Sequence, residues 1–178
     1  LYTRVDVAKY KSAAALMNNF FVDYRGGAST RPGTQYVIQA YQSATPVRLI
    51  NFQASFNVGY AVEIGNGYMR FHYQGAPVVE NGIAISAVTN ANPCVITTAT
   101  AHGYNTGDWI FVSGVGGTTQ INARYFIVTV ISTTQISLSY ILNGTPLDTT
   151  LFGVYTSGGT TARIYTIGSP YTSVSYTH

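Results

Sequence analysis

The sequence predicts a mainly β protein: a small antiparallel β domain with one short N-terminal helix, interrupted by an inserted small β-barrel. Composition is the first reason. Of 178 residues only 8% are charged while 46% are hydrophobic and 15 are tyrosine, so polar surface has to come from Thr, Ser, Asn, Gln and Gly, as in sheet proteins. The second is rhythm, since short runs rich in Val, Ile, Thr, Tyr and Phe recur between turn residues. The third is a change of texture at Gly82. Seven of the nine Lys and Arg (Arg4, Lys9, Lys11, Arg25, Arg31, Arg48, Arg70) precede it, and the next seventy-odd residues carry almost no charge.

Along the chain, "DVAKYKSAAALMNNF" (Asp6 to Phe20) spaces Val7, Tyr10, Ala14 and Met17 three and four residues apart behind an Asp cap, which predicts the helix. From Phe20 the pattern is extended, with turns at Gly26-Gly27 and Arg31-Pro32-Gly33. Strands are expected at "VRLINFQA", "GYAVEIG" and "YMRFHYQGAPV", the last two joined through Gly65-Asn66-Gly67, residues that tolerate the positive φ of a tight hairpin. The second module reads as "AISAVTN", "CVITTA", "DWIFVSGV", "RYFIVTVIS" and "QISLSYI" with turn-rich spacers, a small barrel or sandwich. After glycine-rich "SGGTTA" (Ser157 to Ala162) the aromatic texture returns in "RIYTIGSPYTSVSYT". The expected domains are therefore residues 1–82 with 160–178, and 83–159. The chain starts without Met at Leu1 and stops at His178 straight after a strand-like run, the pattern expected of a piece of a longer polypeptide.

Chemistry concentrates in "CVITTATAHGYNTGDWIFVSGVGG" (Cys94 to Gly117). A triad of Ser113, His102 and Asp108 needs a nucleophile on a strained turn, but Ser113 ends a strand and lacks the G-x-S-x-G elbow. Nothing near Cys94 in sequence would lower its pKa, so it reads as a small buried hydrophobe, and a single cysteine excludes an intramolecular disulfide framework. "GVGG" (Gly114 to Gly117) is followed by a strand and not by the helix and Lys of a phosphate cradle. His72, His102 and His178 lack metal-ligand spacing. No catalytic, metal or cofactor site is expected. Trp109, Phe111 and Val115 are expected to share the buried side of a barrel wall. Tyr24, Tyr36, Tyr41, Tyr60, Tyr68 and Tyr73 are candidates for a stacking face toward sugar, and equally for core edges and subunit contacts. Arg25, Arg31, Arg48 and Arg70 are candidate subunit contacts or channel residues, and a net charge of +3 without a basic run argues against a dedicated nucleic-acid binder. The residues from Leu1 do not read as a basic-plus-apolar signal segment, and no uninterrupted apolar run has the length a bilayer needs.

Two motif sets carry a resemblance. "NNFFVDYRGGASTRPGTQYVIQA" followed by "VRLINFQASFNVGYAVEIGNGYMRFHYQGAPV" resembles the opening of tail nozzle or tail-hub (tail tubular) proteins of short-tailed bacteriophages, and "ARIYTIGSPYT" resembles the segment leading into their larger β-rich body. Between them, "AHGYNTGDWIFVSGV", "INARYFIV" and "ISL" are similar to the FCCH-like small β-barrel of many phage proteins. The resemblance implies a non-enzymatic virion protein: a ring homo-oligomer, sixfold in symmetry, forming part of the conduit for DNA ejection below the portal. Its partners would be other copies, the portal or adaptor, other tail proteins and passing phage DNA. A second reading from the residues is a β module of a tail fibre or adhesin that binds host-surface carbohydrate through Trp109. A third is a hydrolase dependent on His102.

Overall fold

The computed structural model describes residues 20–22, 28–31, 33–56 and 58–169. The chain divides after Tyr36 into two units. In the first, β1 (Phe20–Val22) pairs antiparallel with β2 (Ala28–Thr30), Phe20 opposite Thr30. The predicted helix from Asp6 lies outside the described residues, apart from its last residue, Phe20, which begins β1.

The second unit starts with an irregular arm and a turn at Tyr41, then enters an antiparallel sheet. Its strands are β3 (Arg48–Ser55), β4 (Val58–Gly65), β5 (Tyr68–Tyr73) and β6 (Ala76–Pro77), with β13 (Thr166–Gly168) added from the far end of the chain. The order is β13-β5-β4-β3, and β6 pairs with β5 beside β13. The β4–β5 turn is the two-residue Asn66-Gly67, with Gly67 at φ +78° and Gly65 paired to Tyr68. "YMRFHYQGAPV" is not one strand: positive φ at Gln74 (48°) and Gly75 (78°) fold it into a second hairpin. Side chains alternate across this sheet. Register places Leu49, Glu63, Arg70 and Thr166 in one row on one face, with Asn51, Ala61 and His72 in the next row of that face. Ile50, Phe52, Tyr60, Val62, Phe71 and Tyr73 share the other face.

From the sheet the chain passes into a closed six-stranded barrel of order β10-β11-β8-β7-β12-β9. Its strands are β7 (Ile83–Val88), β8 (Val95–Thr98), β9 (Trp109–Val115), β10 (Arg124–Val130), β11 (Gln135–Tyr140) and β12 (Gly158–Arg163), with a 3₁₀ turn at Thr119–Ile121. The interior is built from registered apolar pairs: Phe126 opposite Ile110, Val128 opposite Leu138, and Ile136 opposite Ile96. All six are buried, and Ile121, Leu147 and Cys94 fill the space around them. Ile85 and Val88 both join this core although an odd spacing separates them, because a register shift between Ile85 and Ala87 restores the inward side. Two extended segments form a neck between barrel and sheet. Glu80 N–H donates to Arg163 O and Tyr165 N–H to Val78 O, each at 2.8 Å. Arg163 reinforces the neck with ion pairs to Glu80 (2.9 Å) and Asp108 (3.2 Å).

Two expectations are corrected here. The expected strands leave out "SGGTTA", but Gly158–Arg163 is a barrel strand, paired to β9 and β7. Its glycines are there because β12 and β9 approach closely, and a Cβ on Gly159 would stand 2.6 Å from the Val115 side chain. Trp109 and Phe111 do not share a side with Val115. Ile110 and Val112 face the barrel interior, Trp109 and Phe111 face outward, and left-handed Gly114 (φ +72°) resets the alternation so that Val115 turns inward. Asn122 repairs the backbone at that bulge. Its Nδ2 donates to Val115 O and its Oδ1 accepts from Val115 N–H, both at 2.8 Å, the pair of bonds a neighbouring strand would make. Asn122→Ala should therefore cost about 2 kcal/mol, because both Val115 groups lose partners. Urea denaturation checks this, and Asn122→Asp, which keeps only the acceptor, should fall between.

Candidate functional site

On one face of the sheet, where it meets the barrel, lies a buried polar cluster. Glu63 and Arg70 are cross-strand neighbours on β4 and β5. A lone charge in such a place would be costly, so each needs partners. The Glu63 carboxylate accepts from the Tyr68 hydroxyl (2.6 Å) and the Tyr41 N–H (3.0 Å) on one oxygen, and from His72 Nε2 (3.1 Å) on the other. Burial pushes its pKa up, but the hydrogen bonds from His72, Tyr68 and Tyr41 and the nearby Arg70 charge outweigh that and hold it below the ordinary carboxylate value. Burial and the Glu63 charge together push the Tyr68 phenol well above its usual range. Arg70 is 2% exposed and sits in the corner formed by two rings that meet edge to face, its guanidinium carbon 3.9 Å from the Tyr41 centroid and 4.5 Å from that of Trp109. Its Nε donates to Thr166 Oγ1 at 2.9 Å, while Nη1 has no hydrogen-bond partner among the described residues. The rings stand in for that partner.

Beside this cluster, on the same face, opens a cavity of about 360 Å³. Gly59 and Ala61 on β4 are too small to fill the middle of the face, so a depression remains between Leu49 of β3 and His72 of β5. The arm closes it with Val37, Ile38 and Ala40, and Gln74 and Gly75 form one rim. The walls are apolar and one end is polar, where Glu63 and His72 meet it.

The residues expected to matter from sequence are dispersed. Arg25 lies outside the described residues. Arg31 belongs to the first unit, Arg48 is exposed on β3, and Arg70 is buried in the cluster. The triad residues find other partners. Ser113 Oγ lies 3.3 Å from Thr160 Oγ1; His102 accepts at Nδ1 from Tyr104 N–H (2.9 Å) and donates from Nε2 to Ser132 O (2.8 Å); Asp108 accepts from Asn105 N–H and Arg163. Cys94 is fully buried, and burial pushes its thiol pKa up. The glycine loop packs on backbone, with Gly116 N–H donating to Ser157 O at 2.8 Å and a Cβ on Gly117 colliding with Val154 O. The tyrosines form no single face. Tyr24 lies outside the described residues, Tyr36 belongs to the first unit, Tyr41 and Tyr68 pack edge to face in the cluster, and Tyr60 and Tyr73 pair on the opposite face of the sheet. Trp109, which the carbohydrate-binding alternative would set against a sugar, is buried against Tyr41 and Arg70.

Sequence reasoning missed Glu63 and the cavity. One signal was present, a carboxylate in the otherwise apolar strand "GYAVEIG", which asks for a buried partner. No protein-family model matches the chain, and neither does any curated protein.

Because the Glu63 pKa is lowered in the folded chain, its stabilisation is complete above its ordinary value of 4.5 and is lost as pH falls through the folded value. Glu63→Gln should destabilise the protein by about 2 kcal/mol at neutral pH, and the gap from wild type should narrow as pH drops below 4.5. Thermal melts of both proteins across that range check the sign.

Proposed function

We propose that the chain is a structural component of a bacteriophage tail, of nozzle or hub type, whose copies join into a ring-shaped conduit for DNA ejection below the portal. The observation that carries this reading is the β3 edge. All eight residues of β3 are exposed, Leu49 at 70%, Ile50 at 48% and Phe52 at 54%, and among the described residues the strand pairs with β4 alone. An edge of that length, with Ile50 and Phe52 on one face and Leu49 on the other, is a template for pairing with another chain.

The topology suits copies of the same chain. Three antiparallel steps lead from β3 through β4 and β5 to β13, so the two edges of the sheet run in opposite directions. A β13 edge laid head to tail against a neighbour's β3 continues the antiparallel sheet, and a heterologous contact of this kind generates a ring when its rotation closes. The motif resemblance supplies the rest of the reading: sixfold symmetry, a place in the virion beneath the portal or adaptor, and transit of DNA through the ring. The exposed Arg31 and Arg48 remain candidates for subunit or channel contacts. The barrel loops farthest from the neck carry exposed Leu142, Leu151 and Val154, a surface suited to a neighbouring tail protein.

Native mass spectrometry with negative-stain imaging tests the reading. Wild-type chain should form closed rings with an open channel. A double variant, Ile50→Lys with Phe52→Lys, should be monomeric with folding stability unchanged within about 0.5 kcal/mol, as expected for exposed positions. Wild-type chain that stays monomeric at its highest soluble concentration, alone and with portal protein, contradicts the proposal.

A further inference from the structure

We propose that the cavity on the Glu63 face of the sheet is a binding site for a small neutral aromatic molecule with a single hydrogen-bond donor, of indole or phenol type. Its walls all belong to one copy of the second unit, so the inference goes beyond the ring assembly proposed above and does not rest on it. The arm already lines this face with Val37, Ile38 and Ala40, opposite the floor of Gly59 and Ala61. What is left is a space of about 360 Å³. Sites for small molecules begin at about that size, whereas a further layer of chain would need about 10 Å of depth across the whole face. The space suits a compact guest.

The lining selects the chemistry of that guest. Val37, Ile38, Val47 and Leu49 call for an apolar body. The polar end calls for a donor. Glu63 is 3% exposed, and its hydrogen bonds from Tyr68, Tyr41 and His72 use three of the roughly four acceptor positions of a carboxylate. With Nε2 donating to that carboxylate, a neutral His72 ring keeps a lone pair on Nδ1, and Nδ1 has no hydrogen-bond partner among the described residues. Glu63 and His72 thus present acceptors to the cavity and no spare donor, while the amide of Gln74 stands exposed at the rim. Charge is already matched there, since Glu63 has Arg70 as its cross-strand neighbour. A cation would find the carboxylate compensated, and an anion would meet it directly. A neutral ring system with one N–H or O–H at its end satisfies both halves of the lining, its body on the apolar walls and its proton on His72 Nδ1. Indole fits the acceptor end most fully, because it donates once and brings no acceptor of its own to leave unpaired.

Isothermal titration of the whole wild-type chain with indole and with N-methylindole tests this. Indole should bind saturably, and N-methylindole, which has the same rings and no donor, roughly fivefold more weakly, the effect of one hydrogen bond. A cavity that was merely apolar would hold the more apolar N-methylindole at least as well. Two variants fill the space from its floor. No atom lies within 4 Å of where a Cβ on Gly59 would stand, so Gly59→Leu places its side chain in the cavity without a clash. Ala61→Phe fills the space from the same strand face and serves if Gly59→Leu does not fold. Either should weaken indole at least roughly tenfold, the effect of losing a buried ring. His72→Phe keeps a ring at the polar end and removes Nδ1, so it should abolish the preference for indole while leaving N-methylindole binding as it was. Thermal melts establish that each variant is folded. No saturable binding up to the solubility limit of indole, equal or tighter binding of N-methylindole, undiminished binding to a folded, filled variant, or a preference that survives His72→Phe each overturns the inference. Whether the chain also forms rings bears on the conduit alone.

Discussion

A guanidinium held in the corner of two aromatic rings joins the sheet of this protein to its barrel. Arg70 belongs to the sheet, Trp109 is the first residue of barrel strand β9, and Tyr41 belongs to the turn that leads into the sheet, so three separate parts of the chain converge on one charge. The contact is directional, because the cation has to stand over the face of each ring. It is also coupled to Glu63, whose hydrogen bonds to Tyr41 and Tyr68 position two of the surrounding aromatic groups. The neck alone, two hydrogen-bonded segments and the Arg163 ion pairs, would fix the ends of the barrel strands but leave the sheet free to swing. With the Arg70 stack in place, the sheet has a defined face toward the barrel and an opposite edge toward solvent.

That division explains the distribution of polar groups. The barrel closes on itself, so its strands have no open edge and its interior needs only registered apolar pairs. The sheet cannot close. Among the described residues it ends in β3, and the cavity, the Glu63 carboxylate and exposed Leu49, Ile50 and Phe52 all lie within two strands of that edge. In the reading proposed here the barrel is the self-sufficient part and the sheet is the part completed by a neighbour.

Much of the architecture was legible in the sequence, for reasons that can be named. Strands β7 to β11 announced themselves because each buries one face, so Val, Ile and Phe alternate with Thr and Ser between turns. The Asn66-Gly67 hairpin was legible because its backbone demands residues that accept positive φ. β12 was not, because close approach to β9 excludes side chains, and a strand written in Gly and Thr looks like a linker. The facing of Trp109 was misjudged because alternation says which residues share a side but not which side is the core, and left-handed Gly114 breaks the alternation before Val115. The Glu63 cluster was illegible for a different reason. Its members, Tyr41, Glu63, Tyr68, Arg70, His72 and Trp109, come from the arm, the sheet and the barrel, and only the tertiary fold brings them together. The cavity follows from the smallness of Gly59 and Ala61, which sequence reports but cannot place.

The central claim is that the open edge of β3 is where one copy meets the next. Hydrogen exchange of the backbone amides, read by mass spectrometry over a range of protein concentrations, tests it most directly, since pairing protects an edge strand whose amides otherwise face water. The account predicts that residues 49–55 become protected as concentration rises, while the barrel strands β10 and β11, already paired on both sides, do not change. Exchange in β3 that stays fast in a sample shown to be assembled would place the subunit contact elsewhere and contradict the claim.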